Sequence, residues 1–437
     1  MTAVAALLPA APLHAGFYAN SAHGNAAHGV NRTSTAALGY VRGNCAHCHE
    51  MEGSITGSEP APAGGGPSPS ALFYDNNVSQ TDNVCLQCHT DAGSYQSGSI
   101  VNRSYSYRAG GWTTDPVDDS KQSFSFANLT NPSTGTAHSL NDILTFIKTQ
   151  TWGYSDTSNP CVACHNPHAV QGDPATAGNS TKSSGGRGTP ISLPSLHTAA
   201  SGSWGLWGDV ASETMSTYTT YQAPYRYNSN VVFEPRGSSA AATAAADSTD
   251  YVVFCTNCHN ATNLIFSTTL GRNLRTINWD SEKHGKGTAS QTNADGNDDL
   301  LLPYSSGSIG SYVLSCLDCH EPHGSTNAYL LRPEVNGAAG VNIKTLTGDA
   351  NGPTATGPPP GPDLCNKEWN YLCAKCHTRL ANSDGHVHPY YLPPDINGCS
   401  FTVCHSGAGG CSTPSCGTCH YHSSTTVPGT TYSGQLF

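Results

Sequence analysis

The chain has 437 residues, of which 37% are apolar and only 11% charged, with 46 Gly and 28 Pro. Ordinary cores draw on about 45–50% apolar residues, whereas disorder normally comes with high charge, so neither class fits. A net charge of −11 argues against a nucleic-acid partner. Collagen is excluded because no Gly-X-Y period exists. No run approaches the roughly 18 apolar residues of a membrane-spanning helix. Something other than side chains has to supply the interior.

Residues 1–15 read MTAVAALLPAAPLHA. An apolar stretch, prolines and a small-residue ending at Leu13-His14-Ala15 resemble an export signal whose basic start is missing. The mature chain is expected to begin near Gly16 and to work outside the cytoplasm.

Seven copies of one pattern follow. They are Cys45-Ala-His-Cys48-His49, Cys85-Leu-Gln-Cys88-His89, Cys161-Val-Ala-Cys164-His165, Cys255-Thr-Asn-Cys258-His259, Cys316-Leu-Asp-Cys319-His320, Cys373-Ala-Lys-Cys376-His377 and Cys416-Gly-Thr-Cys419-His420. With 18 Cys and 20 His in the chain, chance predicts about 0.03 copies. Two thiols at this spacing form thioethers with the two vinyl groups of one haem, and the next residue reaches the iron from one face. Zinc ribbons also use C-x-x-C, but they need two pairs per metal and no histidine after each pair. Cys399-Ser-Phe-Thr-Val-Cys404-His405 is read as an eighth attachment with a longer spacing. The alternative there is a disulfide beside a chance histidine. Cys365 and Cys411 remain, and one disulfide tying down the tail is their simplest use in an oxidising compartment.

The expected cofactor is therefore haem c, eight copies, with proximal ligands His49, His89, His165, His259, His320, His377, His405 and His420. Methionine cannot fill the opposite faces, because the chain contains only Met1, Met51 and Met215. Histidine can. His14 leaves with the export signal, and His47 is a poor candidate because it sits between its own two thioether cysteines. The distal set is His23, His28, His138, His168, His197, His284 and His323, with His386, His388 or His422 competing for the last place. His168 in CHNPH and His323 in CHEPH follow their proximal histidines by three residues. Neither can curl round to the far face of its own haem, so each is expected to serve a neighbour.

The fold expected is a multihaem cytochrome c, mostly coil with short helices and few short strands, wrapped around a continuous haem stack. Helical signals are brief: Ser139–Thr149 and single turns at the attachment motifs. Val231–Glu234 and Tyr251–Phe254 read as short strands, and the aromatic-rich Trp204–Tyr227 as packing over haem edges. Two low-complexity loops, Gly57–Ser70 and Asn351–Pro362, separate motifs.

With these motifs in view, the chain resembles the extracellular multihaem c-type cytochromes of metal-reducing bacteria, above all the six-haem cytochromes that polymerise into nanowires. CLQCHTDAG, CHNPH, FCTNCH, KHG before SCLDCHEPHGS, and LCAKCH carry the likeness, in that order. The likeness divides the chain into residues 16–382, the six-haem region, and residues 383–437, an added two-haem module. It departs after the first motif, where CHEME has no histidine three residues on. The resemblance implies a secreted homopolymer in which one distal histidine, His23 or His28, is supplied in trans. It also implies outer-membrane electron donors and metal oxides or electrodes as acceptors. The alternatives are a monomeric carrier or conduit component, and an octahaem oxyanion reductase. Reductases of that kind keep an open iron, often through C-x-x-C-Lys, a motif this chain does not contain.

A fully bis-histidine set is expected to give only low-spin ferric signals in the electron paramagnetic resonance spectrum of the oxidised protein. A high-spin signal beyond a trace would contradict it.

Overall fold

The computed structural model describes residues 18–19, 23–26, 29–50, 72–74, 78–90, 93–97, 120–126, 135–165, 167–168, 250–279, 316–335, 338–339 and 341–344, together with Glu282, His284, Glu368, Leu372, Lys375, Cys376 and His422. Regular structure among them is sparse. The helices are α1 (Thr33–Ala37), α2 (Ser120–Ser125), α3 (Leu140–Ile147), α4 (Asp250–Thr256) and α5 (Cys316–Cys319). Tighter 3-10 turns occupy Cys45–His47, Val84–Gln87, Pro160–Ala163 and Ala328–Leu330. The strands are two-residue pieces: β1 (Thr136–Ala137), β2 (Phe266–Ser267), β3 (Arg272–Asn273), β4 (Gly324–Ser325), β5 (Glu334–Val335) and β6 (Ala338–Ala339). Mostly coil with few short helices and strands is the architecture the composition implied.

The helix α3 shows how these short elements are used. Ser139 caps its N-terminus by accepting from the Asp142 amide, as a good N-cap residue does. Leu140, Leu144 and Ile147 then form one buried stripe at helical spacing. Leu140 packs with Leu86 of the second attachment motif and with Phe124 of α2. Leu144 and Ile147 pack with Tyr154 and with Ala163 of the third. One eight-residue helix thus spans two attachment motifs.

The run Tyr251–Phe254, expected as a strand, is instead part of α4. Its β-branched and aromatic residues favour a strand only weakly, and tertiary context overrides such preferences. Here the context is Cys255, whose carbonyl accepts from the His259 amide at 3.0 Å, so a helical turn has to start there. Extending that turn backwards buries Val252 against Trp279. The second expected strand, Val231–Glu234, lies outside the described residues, as does Trp204–Tyr227.

β1 pairs antiparallel with β4, placing Thr136 opposite Ser325 and Ala137 opposite Gly324. Thr136 reinforces the pairing: its hydroxyl donates to the Asn327 carbonyl at 2.7 Å and accepts from the Leu330 amide at 2.7 Å. Gly324, which ends the CHEPHG run, has to be glycine, since a Cβ there would meet the Ser123 carbonyl oxygen at 2.0 Å. β2 with β3 and β5 with β6 are local antiparallel pairs.

Asparagines organise the attachment turns. Asn44, Asn83 and Asn159 each cap the 3-10 turn that carries the first cysteine, accepting from the amides of Ala46, Cys85 and Cys161 respectively. Asn83 and Asn159 also face each other. Each donates its side-chain amide to the other's oxygen, at 3.1 and 2.9 Å, in a buried, doubly bonded pair. Removing one partner strands a buried amide and loses a cap. Asn83→Ala and Asn159→Ala are each expected to cost about 1–3 kcal/mol in denaturant titrations of the intact protein. The double variant should cost clearly less than the sum, and strict additivity would contradict the pairing.

Candidate haem-binding sites

Five attachment motifs are described, and their backbones share one feature. The amide of the motif histidine donates to the carbonyl of the first cysteine four residues back. The bond measures 2.9 Å for His49 and His165, and 3.0 Å for His89, His259 and His320. A single helical turn therefore carries each C-x-x-C-H, presenting both thiols and the imidazole from one short arc.

Each of these five histidines faces a second imidazole from a distant part of the chain. His89 faces His23 with ring centroids 6.0 Å apart, and His49 faces His168 at 5.9 Å. His259 faces His138 at 6.1 Å, His165 faces His323 at 5.8 Å, and His320 faces His422 at 6.4 Å. Two metal–nitrogen bonds of about 2 Å, added to the distance from each ring nitrogen to its centroid, give about 6 Å. The spacing of all five pairs therefore fits one iron between two imidazoles, and the residues present suit haem c. His168 and His323 each face another motif's histidine, not the one three residues before them.

The rings are prepared to donate. Burial, then neighbouring imidazoles, push His89 down to about 4 and His165 and His259 down to about 3. Burial does the same to His320, down to about 4, with His422 second. His23, His138 and His168 are also lowered, first by burial. Neutral imidazole is the ligating form. Three of the rings are also fixed at Nδ1, which leaves Nε2 for the metal. His23 Nδ1 donates to the Pro167 carbonyl at 2.9 Å, His138 Nδ1 to the Pro322 carbonyl, and His320 Nδ1 to the Tyr329 carbonyl at 2.9 Å. Pro167 and Pro322 belong to CHNPH and CHEPH. In each block the second histidine stands opposite the histidine of another motif, while the proline carbonyl accepts from His23 or His138, which stands opposite a third.

His47 is built into the protein instead. It is buried, its Nε2 donates to the Val41 carbonyl at 2.9 Å, and its Nδ1 accepts from the Arg32 amide and the Thr35 hydroxyl. His284 is described and half-buried. His28, His197, His377, His386, His388, His405 and His420 lie outside the described residues, with Cys373, Cys399, Cys404, Cys416, Cys419, Cys365 and Cys411.

Consecutive motifs lie near one another in chain order, and two of the steps are hydrogen bonds. Burial, then the neighbouring thiols of Cys88 and Cys85, push the Cys48 thiol up to about 12. A hydrogen bond between the Cys85 and Cys161 thiols, then burial, holds the Cys85 thiol well above the ordinary range. Cys164 is raised to about 12 by burial and then by Cys258, and Cys255 hydrogen-bonds to Cys316. Cys319 and Cys376 pack on one apolar cluster of Ala328, Leu331, Val335, Val341 and Ile343. Among the described residues, no three of His, Cys, Asp and Glu converge on a point that could hold a bare metal ion.

Several residues that shape these sites carry only faint sequence signals or none. The three capping asparagines were visible as Asn one or two places before a motif cysteine. Glu50 and Glu321, each directly after a motif histidine, are buried, and Glu321 Oε1 lies 3.3 Å from Arg332 Nε. Nothing in the local sequence marks Glu282, which bonds to His422.

The family of the doubled CXXCH motif matches residues 312–339, the segment that contains Cys316, Cys319 and His320. The match points to a multihaem c-type cytochrome, a haem-binding electron-transfer protein with covalently attached haem c. No curated protein and no solved structure matches the chain.

His168→Ala and His323→Ala are each expected to keep full haem content and to gain one equivalent of high-spin iron. The double variant should gain two. His47→Ala should gain none but lose about 1–3 kcal/mol of stability from its stranded partners. A high-spin site in His47→Ala, or none in the other two, would contradict the pairings.

Proposed function

We propose that the chain carries eight haems, seven at C-x-x-C-H and one at Cys399–His405, and works as a secreted conductor of electrons that polymerises into a filament at the cell surface. The observation that supports this best is the nearness of consecutive motifs from Cys48 to Cys376, with hydrogen bonds joining Cys85 to Cys161 and Cys255 to Cys316. Bound haem supplies a one-electron ferric/ferrous couple. The chain's own residues keep consecutive couples adjacent, hold their axial imidazoles neutral, and exclude water from the ring faces. The distal histidines already described leave no open metal face at five of the sites, which suits transfer more than catalysis on a bound substrate.

Polymerisation in this reading uses a histidine lent to the next copy. Of the two candidates, His23 and His28, His23 faces His89 of its own chain, which favours His28 as the lent ligand. Electrons arrive from outer-membrane donors and leave to metal oxides or electrodes, and nucleic acid has no part. Residues 383–437 form the added two-haem module of the same proposal. Among the described residues no helix is long and apolar enough to cross a membrane.

Electron cryo-microscopy of the secreted protein at neutral pH tests the proposal. Ordered filaments are expected from the native chain, and haem-loaded monomers without filaments from His28→Ala. Discrete native particles would move the assignment to a monomeric carrier, and an iron with an empty face in them would favour a reductase.

A further inference from the structure

The orienting groups behind the axial imidazoles are not all alike. Behind His23, His138 and His320 stand the backbone carbonyls of Pro167, Pro322 and Tyr329, which are neutral dipoles. Behind His422 stands a carboxylate: Nδ1 donates to Glu282 Oε2 at 2.7 Å. Glu282 is fully buried, and its carboxylate is therefore little screened by water or salt.

The position of Glu282 is set independently of the tail that brings His422. Its amide donates to the Asn278 carbonyl at 3.1 Å, closing a turn that includes Trp279. Trp279 packs on Val252, with Ile277 and Cys316 alongside. The carboxylate is thus anchored to the same small cluster that holds a thioether cysteine of the site it serves. His422, from the far end of the chain, docks against an acceptor already in place.

We propose that Glu282 is a positioning residue that fixes His422 as the second axial ligand opposite His320 and lowers the potential of that site. The inference rests on the haem reading above. A carboxylate draws the Nδ1 proton more strongly than a carbonyl does, which gives Nε2 more basic character. A more basic axial nitrogen stabilises the ferric over the ferrous state, and second-shell hydrogen bonding of this kind is a known lever on haem potentials. Docking of the C-terminal segment thereby sets the potential of a haem bound far upstream.

The test is a redox titration of the purified, haem-loaded chain, followed optically and by electron paramagnetic resonance. His422→Met comes first: a thioether in place of imidazole raises the potential, so one component should move upward and identify the site. Glu282→Gln, nearly isosteric, should move that same component upward by a smaller shift, with all irons low-spin. Glu282→Asp keeps the charge and should hold the component near its native value. An unmoved titration in Glu282→Gln, or a shift in a component other than the one that responds to His422→Met, overturns the inference. So does high-spin iron in Glu282→Gln, which would mean that the ligand is released and not tuned. Should Glu282→Gln fail to accumulate, a component in Glu282→Asp displaced as far as in His422→Met overturns it equally. The pyridine haemochrome spectrum separates the two levels of the argument. Absent haem c overturns the proposed function together with this inference, whereas full haem content with unmoved potentials overturns this inference alone.

Discussion

A histidine next to its own thioether cysteines can reach only one face of the metal, so any ligand on the opposite face comes from elsewhere, and at five motifs a distant imidazole of this chain stands there. Most of this structure follows from meeting that requirement repeatedly. His23 with His89, His49 with His168, His138 with His259, His165 with His323, and His320 with His422 each close a long loop. Closing loops of these lengths costs several kcal/mol of chain entropy apiece. Side-chain burial among the described residues is poorly placed to offset it, since the apolar clusters there are small. Coordination and porphyrin faces would add the stability that is missing, which is how metal binding becomes folding free energy.

The protein-only contacts are arranged around that requirement. α3 spans the second and third motifs with one apolar stripe, and the Asn83–Asn159 pair ties the caps of the same two turns together. β1 and β4 bring His138 and His323 side by side, and the His138 amide donates to the His323 carbonyl at 3.2 Å. The two histidines then diverge to different sites, one to His259 and the other to His165. CHNPH and CHEPH are arranged in the same way in two places: one five-residue block holds a motif histidine, a histidine facing a second motif, and a carbonyl that accepts from the histidine facing a third. Neighbouring sites are therefore coupled through covalent chain as well as through contact, and a chain with little core can still hold them in order.

Much of the chemistry was legible because it is written locally. C-x-x-C-H fixes thiols and imidazole within one turn, so the cofactor class followed from spacing, and the shortage of charge and apolar residues pointed to a mostly irregular fold. The three-residue offset of His168 and His323 implied that neither reaches the far side of its own motif, and their rings lie opposite His49 and His165. Which site each serves was not legible, because pairing is a property of the folded path and no local pattern encodes it. Tyr251–Phe254 misled for a related reason: its composition favours a strand, but Cys255 immediately after it demands a turn. Glu282 was invisible because a single acidic residue in a polar stretch acquires meaning only when the tail arrives beside it.

If bound haem and its axial histidines, and not the side-chain clusters, hold this chain in its fold, the chain made without haem attachment should lose it, and amide hydrogen exchange reads that loss residue by residue. Near-complete, rapid exchange is expected through α3, the β1–β4 pair and the attachment turns, against slow exchange at the same amides once haem is bound. Comparable protection in both forms would show instead that the polypeptide folds on its own contacts.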